Sequence, residues 1–375
     1  MNVITKSVEI DGKTLSFETG KIAKQAGGST VVRMGDTIVL VTACSESSER
    51  PGVDFLPLTV DYRENTYAGG RIPGGFFKRE GRPTEREILT CRLIDRGLRP
   101  LFPDSYYRET QVIAWVTSAD DEFCPDVYGI SGASLALLLA AEIPYSEALA
   151  GVRVGRVDGR LVVFPTYDEL KKSDLDLVVA ATEDALAMVE CGASEVPESV
   201  ILDALDLAHQ EIRKIIALQH EIVAEAAVVK GDFVAAGDPW PAEFADAIRQ
   251  RWSDELRTAL LVRGKFEQKA AINAVREKAL AELSDDEAEE KTPWVKSVFG
   301  SMVKAITRET ILEKRERLDG RAFDEIRPVT CEVGVLPRAH GSALFTRGQT
   351  QALVTTTLGT VSERQRTDDI AQGVP

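Results

Sequence analysis

Along the first sixty residues apolar and polar side chains alternate, the period of half-buried strands. VEIDGKTLSFETG predicts a hairpin turning at Asp11-Gly12, STVVRMGDTIVLVTACS a second turning at Gly35-Asp36, and PLTVDYRE a further strand. A glycine-rich loop, GGRIPGG, then leads into PTEREILTCRLIDRGLRP, which predicts a helix with Pro83 in its first turn and its end at Gly97 and Pro100. TQVIAWVTSA is a strand; ISGASLALLLAAE is apolar on all sides and predicts a buried helix. VRVGRVDGRLVVFP predicts a hairpin at Asp158-Gly159, and LDLVVAATEDALAMVECGA two more strands. From Pro197 to about Val229 the apolar residues Ile201, Leu205, Ile212, Ile215, Ile216, Ile222 and Val223 follow helical spacing. An α+β domain of about 230 residues is expected. Between Pro241 and about Arg317 strand-like alternation disappears, and three helices are expected, interrupted at Gly264 and at the acidic stretch SDDEAEE. That stretch lacks the glycine and spacing of a calcium loop, so it predicts a solvated corner between helices.

The chain then repeats itself. GGSTVVRMGDTIVLVTA, from Gly27, overlays HGSALFTRGQTQALVTT, from His340, at a constant offset of 313 residues, placing Gly28 on Gly341, Gly35 on Gly348, Thr37 on Thr350 and Thr42 on Thr355. VEIDGKTLSFETG likewise resembles RLDGRAFDEIRPVTCEVG with a few residues inserted. Solenoid repeats run to about 50 residues, so this long period means a duplicated domain. The second copy has only about 58 residues after Arg317 and is expected to be cut short.

Composition changes this picture in one place. The formal net charge is -15 over 375 residues, so any polyanion has to be met by a local patch. From Arg71 to Arg99 eight Lys or Arg stand against four Asp or Glu. Inside it GGFFKREGRP sets Phe76 and Phe77 beside Lys78, Arg79 and Arg82, ring faces for bases and cations for phosphates, as single-stranded nucleic acid requires. Arg92, Arg96 and Arg99 share one helix face and extend the track. The competing reading has these arginines paired with Glu85, Glu87 and Asp95 while both phenylalanines fill a core.

GRIPGGFFKREGRPTEREILTCRLIDRGLRPLFPD and LPRAHGSALFTRGQTQALVTTTLGT resemble the polynucleotide phosphorylase family, 3′-to-5′ phosphorolytic exoribonucleases, and the likeness runs over essentially the whole chain. It implies an α+β fold: a first RNase PH-like βαβ core at 1–230, an all-helical domain at 231–316, and the truncated opening strands of a second RNase PH-like core at 317–375. It further implies a trimeric ring around a channel for single-stranded RNA. Phe76 and Phe77 would stack on bases, Lys78, Arg79 and Arg82 would contact phosphates, and Arg92 and Arg96 match further RNA-contacting arginines. Lysine replaces the family's usual arginine at 78, keeping the charge without the planar fork. The family's phosphorolytic site belongs to the second core, with inorganic phosphate as co-substrate and Mg²⁺ as cofactor. Its residues are expected downstream of Pro375, so no catalytic residue or metal ligand is nominated, and this chain alone is expected to be inactive. The family's KH and OB-fold modules are likewise expected beyond it. RNA-degradation complex partners are implied as well. The rival reading is a catalytically inactive RNA-binding or oligomerisation module of the same fold.

Other chemistry is poorly supported. Cys44, Cys91, Cys124, Cys191 and Cys331 include no close pair, which argues against a disulfide framework or zinc site and for idle or buried thiols. The segment His340-Gly341-Ser342 suits a turn before a strand better than a nucleophilic pair, and His209 and His220 lack a carboxylate-rich pattern. There is no Walker or dinucleotide motif, which sets aside a small-molecule kinase. MNVITKSVEIDG lacks a signal-peptide core and no apolar run reaches about eighteen residues, so a cytoplasmic location away from membranes is expected.

Overall fold

The computed structural model describes residues 2–50, 53–74, 76, 78–233, 240–363 and 370. It is a mixed α+β chain in two compact units, Met1–Ala235 with Thr367–Pro375, and Ala236–Arg366.

The alternating segments of the first unit form a six-stranded sheet from β1 (Ile4–Ile10), β2 (Lys13–Thr19), β3 (Gly28–Met34), β4 (Thr37–Ser45), β5 (Leu58–Glu64) and β6 (Thr110–Ser118). Their order is β1-β2-β3-β4-β6-β5. Only β5 and β6 pair in parallel, because helix α1 (Glu85–Leu98) forms the crossover between them. Helix α1 starts differently from expectation. Pro83 lies outside it, and Thr84 is the N-cap of a capping box in which its hydroxyl accepts from Glu87 N while the Glu87 carboxylate accepts from Thr84 N. Gly97 lies within the helix, where an added Cβ would come 2.9 Å from Leu149 Cδ2.

The second sheet is antiparallel, β7 (Ala150–Val157), β8 (Arg160–Val163), β9 (Leu175–Ala181) and β10 (Leu186–Ala193) in the order β10-β9-β7-β8, with the short helix α3 (Tyr167–Leu170) after β8. Its β7–β8 turn holds Asp158 at φ 50° and Gly159 at φ 79°, the left-handed pair a two-residue hairpin needs. The Asp11 carboxylate accepts from Val163 N at 2.9 Å and Lys13 Nζ donates to Val163 O at 2.9 Å, tying the two sheets together. Between them lies α2 (Asp126–Leu139), every residue of which is buried. It begins four residues before its apolar run. Helix α4 (Glu198–Ala226) covers β1, β7 and β9, and beyond it the Lys230 ammonium donates to the carbonyls of Leu137, Ala140 and Ile143 at 2.6, 2.7 and 3.0 Å, closing the end of α2.

Contact between α2 and β3 is close enough to demand glycine. A Cβ on Gly28 would sit 1.9 Å from Ala136 O. Gly28→Ala is therefore expected to destabilise the chain by about 1–3 kcal/mol, as overpacking against backbone does. The matched change in the repeat, Gly341→Ala, meets Thr356 Cβ at 3.4 Å and Oγ1 at 3.9 Å, ordinary van der Waals contacts, and is expected to be nearly neutral. Urea midpoints of the two variants check this, and equal midpoints would contradict it.

The second unit contains α5 (Ala242–Leu260), α6 (Lys265–Ala281) and α7 (Asp285–Lys314) around a core that includes Trp252, Leu256, Val275, Val298 and Phe299. The acidic stretch is not a corner: from Asp285 onward it forms the opening turns of α7, where negative charge suits the positive end of the helix dipole. Three antiparallel strands follow, β11 (Val329–Val333), β12 (Gly341–Arg347) and β13 (Thr350–Thr356). β12 and β13 pair Gly341 with Thr356 and Arg347 with Thr350, and β3 and β4 pair Gly28 with Ala43 and Met34 with Thr37, the same register at the offset of 313. The upstream likeness holds only in part. β11 occupies the place of β2, but residues 317–328 form turns and no strand there corresponds to β1.

Candidate nucleic-acid interface

The loop between β5 and α1 is held at its base and open at its tip. After Asn65 comes one turn of 3-10 helix, Thr66–Gly69, closed by Gly70 at φ 68°. The Glu80 carboxylate then reaches back, accepting from Thr66 N at 2.9 Å and Thr66 Oγ1 at 2.7 Å, while Arg63 Nη2 donates to Gly81 O at 3.1 Å. Arg71 Nη2 donates to Ile370 O at 2.5 Å. Between those braces Ile72, Phe76, Lys78 and Arg79 face solvent.

Phe76 is 93% exposed, which is incompatible with a core position. Phe77 lies outside the described residues. Lys78 takes φ 52°, a left-handed conformation, and Lys78, Arg79 and Arg82 are all exposed. Helix α1 continues from the cap at Thr84 and carries Arg92 and Arg96 on its outward face, about 12 and 18 Å further along its axis.

Ion pairing separates these residues. Lys78, Arg79, Arg82 and Arg92 form no ion pair or hydrogen bond among the described residues. Arg96 pairs with Glu190 at 3.0 Å, with both side chains half exposed, an interaction worth well under about 1 kcal/mol and readily exchanged. Arg99 departs from the expected track: it holds Asp95 and donates to Leu56 O and Leu58 O, fixing the end of α1. Of the three carboxylates in the competing reading, Glu87 is buried in the capping box, Asp95 is taken by Arg99, and Glu85 is exposed and forms no ion pair among the described residues. None of them pairs with Lys78, Arg79 or Arg82 among the described residues.

Beneath the loop lies a group of residues that no sequence pattern had singled out. Arg86, in the first turn of α1, approaches Glu64 Oε1 at 3.5 Å and donates toward Cys124 Sγ at 3.1 Å. Arg153 Nη2 donates to Asp126 Oδ2 at 2.6 Å, and Arg153 Nη1 to both oxygens of Asp176 at 2.6 Å. Tyr62 Oη donates to Glu64 Oε1 at 2.7 Å. Burial pushes the Asp126 carboxyl up, but the Arg153 and Arg86 guanidiniums outweigh it and hold it below the ordinary range. Burial raises Glu64, and it pushes the Cys124 thiol up to about 12, so that sulfur is a protonated, unreactive group. The cluster joins β5, α1, α2, β7 and β9 and so fixes where α1 and its loop emerge.

Two of the histidines make backbone contacts. His209 Nε2 lies 3.1 Å from Thr182 O, and His340 Nδ1 accepts from Leu358 N at 2.9 Å in the turn expected there. All five cysteines are free thiols, with Cys44, Cys191 and Cys331 exposed. Among the described residues no group of three His, Cys, Asp or Glu could hold a metal ion, and in the buried cluster Asp126 is already bound to a guanidinium and Glu64 to a phenol. These residues do not fit Mg²⁺.

A crossover sheet, a second sheet stacked over one buried helix, and a repeat of the β3–β4 hairpin define an α+β protein presenting a basic loop. The 3′ exoribonuclease family, domain 1, matches residues 11–144 and 325–374, and domain 2 of that family matches 148–211. The description "Polyribonucleotide nucleotidyltransferase, RNA binding domain" matches 243–322. Proteins named polyribonucleotide nucleotidyltransferase are 50% identical over 364 residues in Heliobacterium modesticaldum, 47% over 365 in Geotalea uraniireducens and 48% over 365 in Geobacillus kaustophilus, each alignment covering 97% of this chain. The chain belongs to the 3′ exoribonuclease family, with the domain arrangement of its polyribonucleotide nucleotidyltransferases. It spans about half the length of these relatives, 51, 52 and 50% respectively.

Proposed function

We propose that this chain supplies the RNA-channel and assembly half of a polynucleotide phosphorylase acting on single-stranded RNA from the 3′ end. The observation that carries this reading is the set of four exposed cations, Lys78, Arg79, Arg82 and Arg92, unpaired among the described residues, with Phe76 beside them, in a chain of net charge -15. Phosphates bind the cations and bases stack on the ring, an arrangement indifferent to sequence. Phe77 and Arg96 belong to the same proposed surface. Arg96 exchanges Glu190 for phosphate.

In the proposed reaction an oxygen of inorganic phosphate bonds to the phosphorus of the terminal phosphodiester. The bond from that phosphorus to the preceding ribose O3′ breaks, giving a nucleoside diphosphate and an RNA one nucleotide shorter. Reversal of the same exchange polymerises nucleoside diphosphates. No step is assigned to a side chain of residues 1–375. In this reading 1–230 is the first RNase PH-like domain, 231–316 the helical domain, and 317–375 the opening strands of the second core, in a protein that assembles as a cytoplasmic homotrimer and joins RNA-degradation partners. Among the described residues no helix is long and apolar enough to cross a membrane.

Incubating the chain with poly(A) and phosphate is expected to give RNA binding without ADP. Release of ADP by this chain alone would place catalysis within residues 1–375 and overturn the assignment; absence of RNA binding would overturn the channel reading itself.

A further inference from the structure

The second unit contains a cleft of about 990 Å³ bounded by the start of α6, the loop 317–327 and the β12–β13 turn. Its lining includes five cations, Lys265, Arg317, Arg321, Arg327 and Arg347, against one carboxylate, Asp319. That balance is opposite to the chain's overall charge, and no role in the proposed RNA channel accounts for it.

The cations divide into two kinds. Arg317 Nη2 donates to Phe323 O at 2.6 Å; Arg321 Nε donates to Asp319 Oδ2 at 3.0 Å and its Nη1 to Glu325 O at 2.7 Å. These bonds shape the loop wall and use up Asp319, to which Arg327 adds a loose contact at 3.7 Å. Lys265 and Arg347, by contrast, are exposed and form no ion pair or hydrogen bond among the described residues. Both line the cleft, Lys265 from the first turn of α6 and Arg347 from the end of β12. Two exposed aromatic residues also line the cleft, Phe266 at 70% and Phe323 at 46% exposure. Like charges held around a space without counter-ions repel one another, and an anionic ligand removes that repulsion.

We propose that this cleft binds a nucleoside diphosphate, its phosphates held between Lys265 and Arg347 and its base laid against the phenyl rings. Two arguments favour a mononucleotide over a polymer. The volume is at the upper end of small-ligand sites, about 300–1,000 Å³. Cationic and aromatic groups occur together, so one ligand with a phosphate end and a base end satisfies both. The proposal goes beyond the channel reading and does not depend on it, since the residues involved lie in the other unit.

Calorimetric titration of the whole chain tests it with four probes: ADP, pyrophosphate, adenosine and oligo(A). ADP is expected to bind at one site, adenosine at least tenfold more weakly, and pyrophosphate in between. The exposed pair Lys265→Ala with Arg347→Ala is expected to raise the ADP Kd at least tenfold, while Lys78→Ala with Arg79→Ala leaves it unchanged. ADP affinity untouched by the cleft pair, or lost with the loop pair, overturns the proposal. So does binding of oligo(A) in the cleft in place of ADP, or no ADP binding at millimolar concentration. Loss of RNA binding with ADP binding intact would instead strike only the channel reading.

Discussion

Replacing Lys78 and Arg79 together by alanine is expected to weaken binding of single-stranded RNA by about 25-fold at 0.1 M salt and to reduce the slope of log K against log salt by about 1.4. Each phosphate neutralised on a single strand releases counter-ions worth a slope of about 0.7, and two lost contacts give the sum. Folding is not at issue, because both side chains are exposed and bond to nothing among the described residues. The loop keeps its shape through Glu80 with Thr66 and Arg63 with Gly81, which the substitutions leave intact. Phe76→Ala provides the contrast: a lost stacking contact costs affinity without changing the slope. Filter binding of oligo(A) between about 0.05 and 0.5 M salt, a range spanning the physiological, distinguishes the cases. An unchanged slope for the lysine–arginine pair would remove the channel assignment.

Different kinds of structure were legible to different degrees. The hairpins could be read because strand alternation and left-handed turn pairs such as Asp11-Gly12 and Asp158-Gly159 are local signals, contained within a few residues. The duplication was legible because a constant offset preserves register, which β3–β4 and β12–β13 then share. The start of α1 was misplaced since Pro83 drew attention away from the Thr84–Glu87 capping box one residue later. The likeness of 317–328 to the first hairpin misled because Asp-Gly recurs there without the alternation that makes a strand. In the loop, sequence supplied the cations but could not decide between solvent and core for Phe76, because that depends on which carboxylates the fold consumes elsewhere. Glu87 and Asp95 were consumed by α1 itself.

Least legible was the buried cluster. Glu64, Arg86, Asp126, Arg153 and Asp176 are scattered over more than a hundred residues with no shared spacing, and are brought together only by the stacking of two sheets on α2. Removing one charge from that cluster gives the largest effect on stability anticipated for this chain. Asp126→Asn is expected to destabilise it by about 3–5 kcal/mol, the range for breaking one partner of a buried pair. Asp126 Oδ2 faces Arg153 at 2.6 Å and its Oδ1 accepts from Val127 N at 2.7 Å, with side-chain exposures of only 13 and 10% for the arginine and aspartate. Without the charge, Arg153 retains Asp176, but Arg86 is left with Glu64, whose carboxyl burial already pushes toward the neutral form. Asp176→Asn is the control. Its side chain is 49% exposed, water replaces much of what is lost, and about 1 kcal/mol or less is expected. The pH dependence has a defined sign: a carboxyl held below its ordinary value of 3.8 contributes stability above that pH and loses it as pH falls through the depressed value. The gap between the parent chain and Asp126→Asn should therefore be full at neutral pH and narrow below about 3.8. Urea midpoints taken down the pH scale measure both quantities, and coincident curves for Asp126→Asn and Asp176→Asn at pH 7 would show that the cluster does not anchor α1 and its loop.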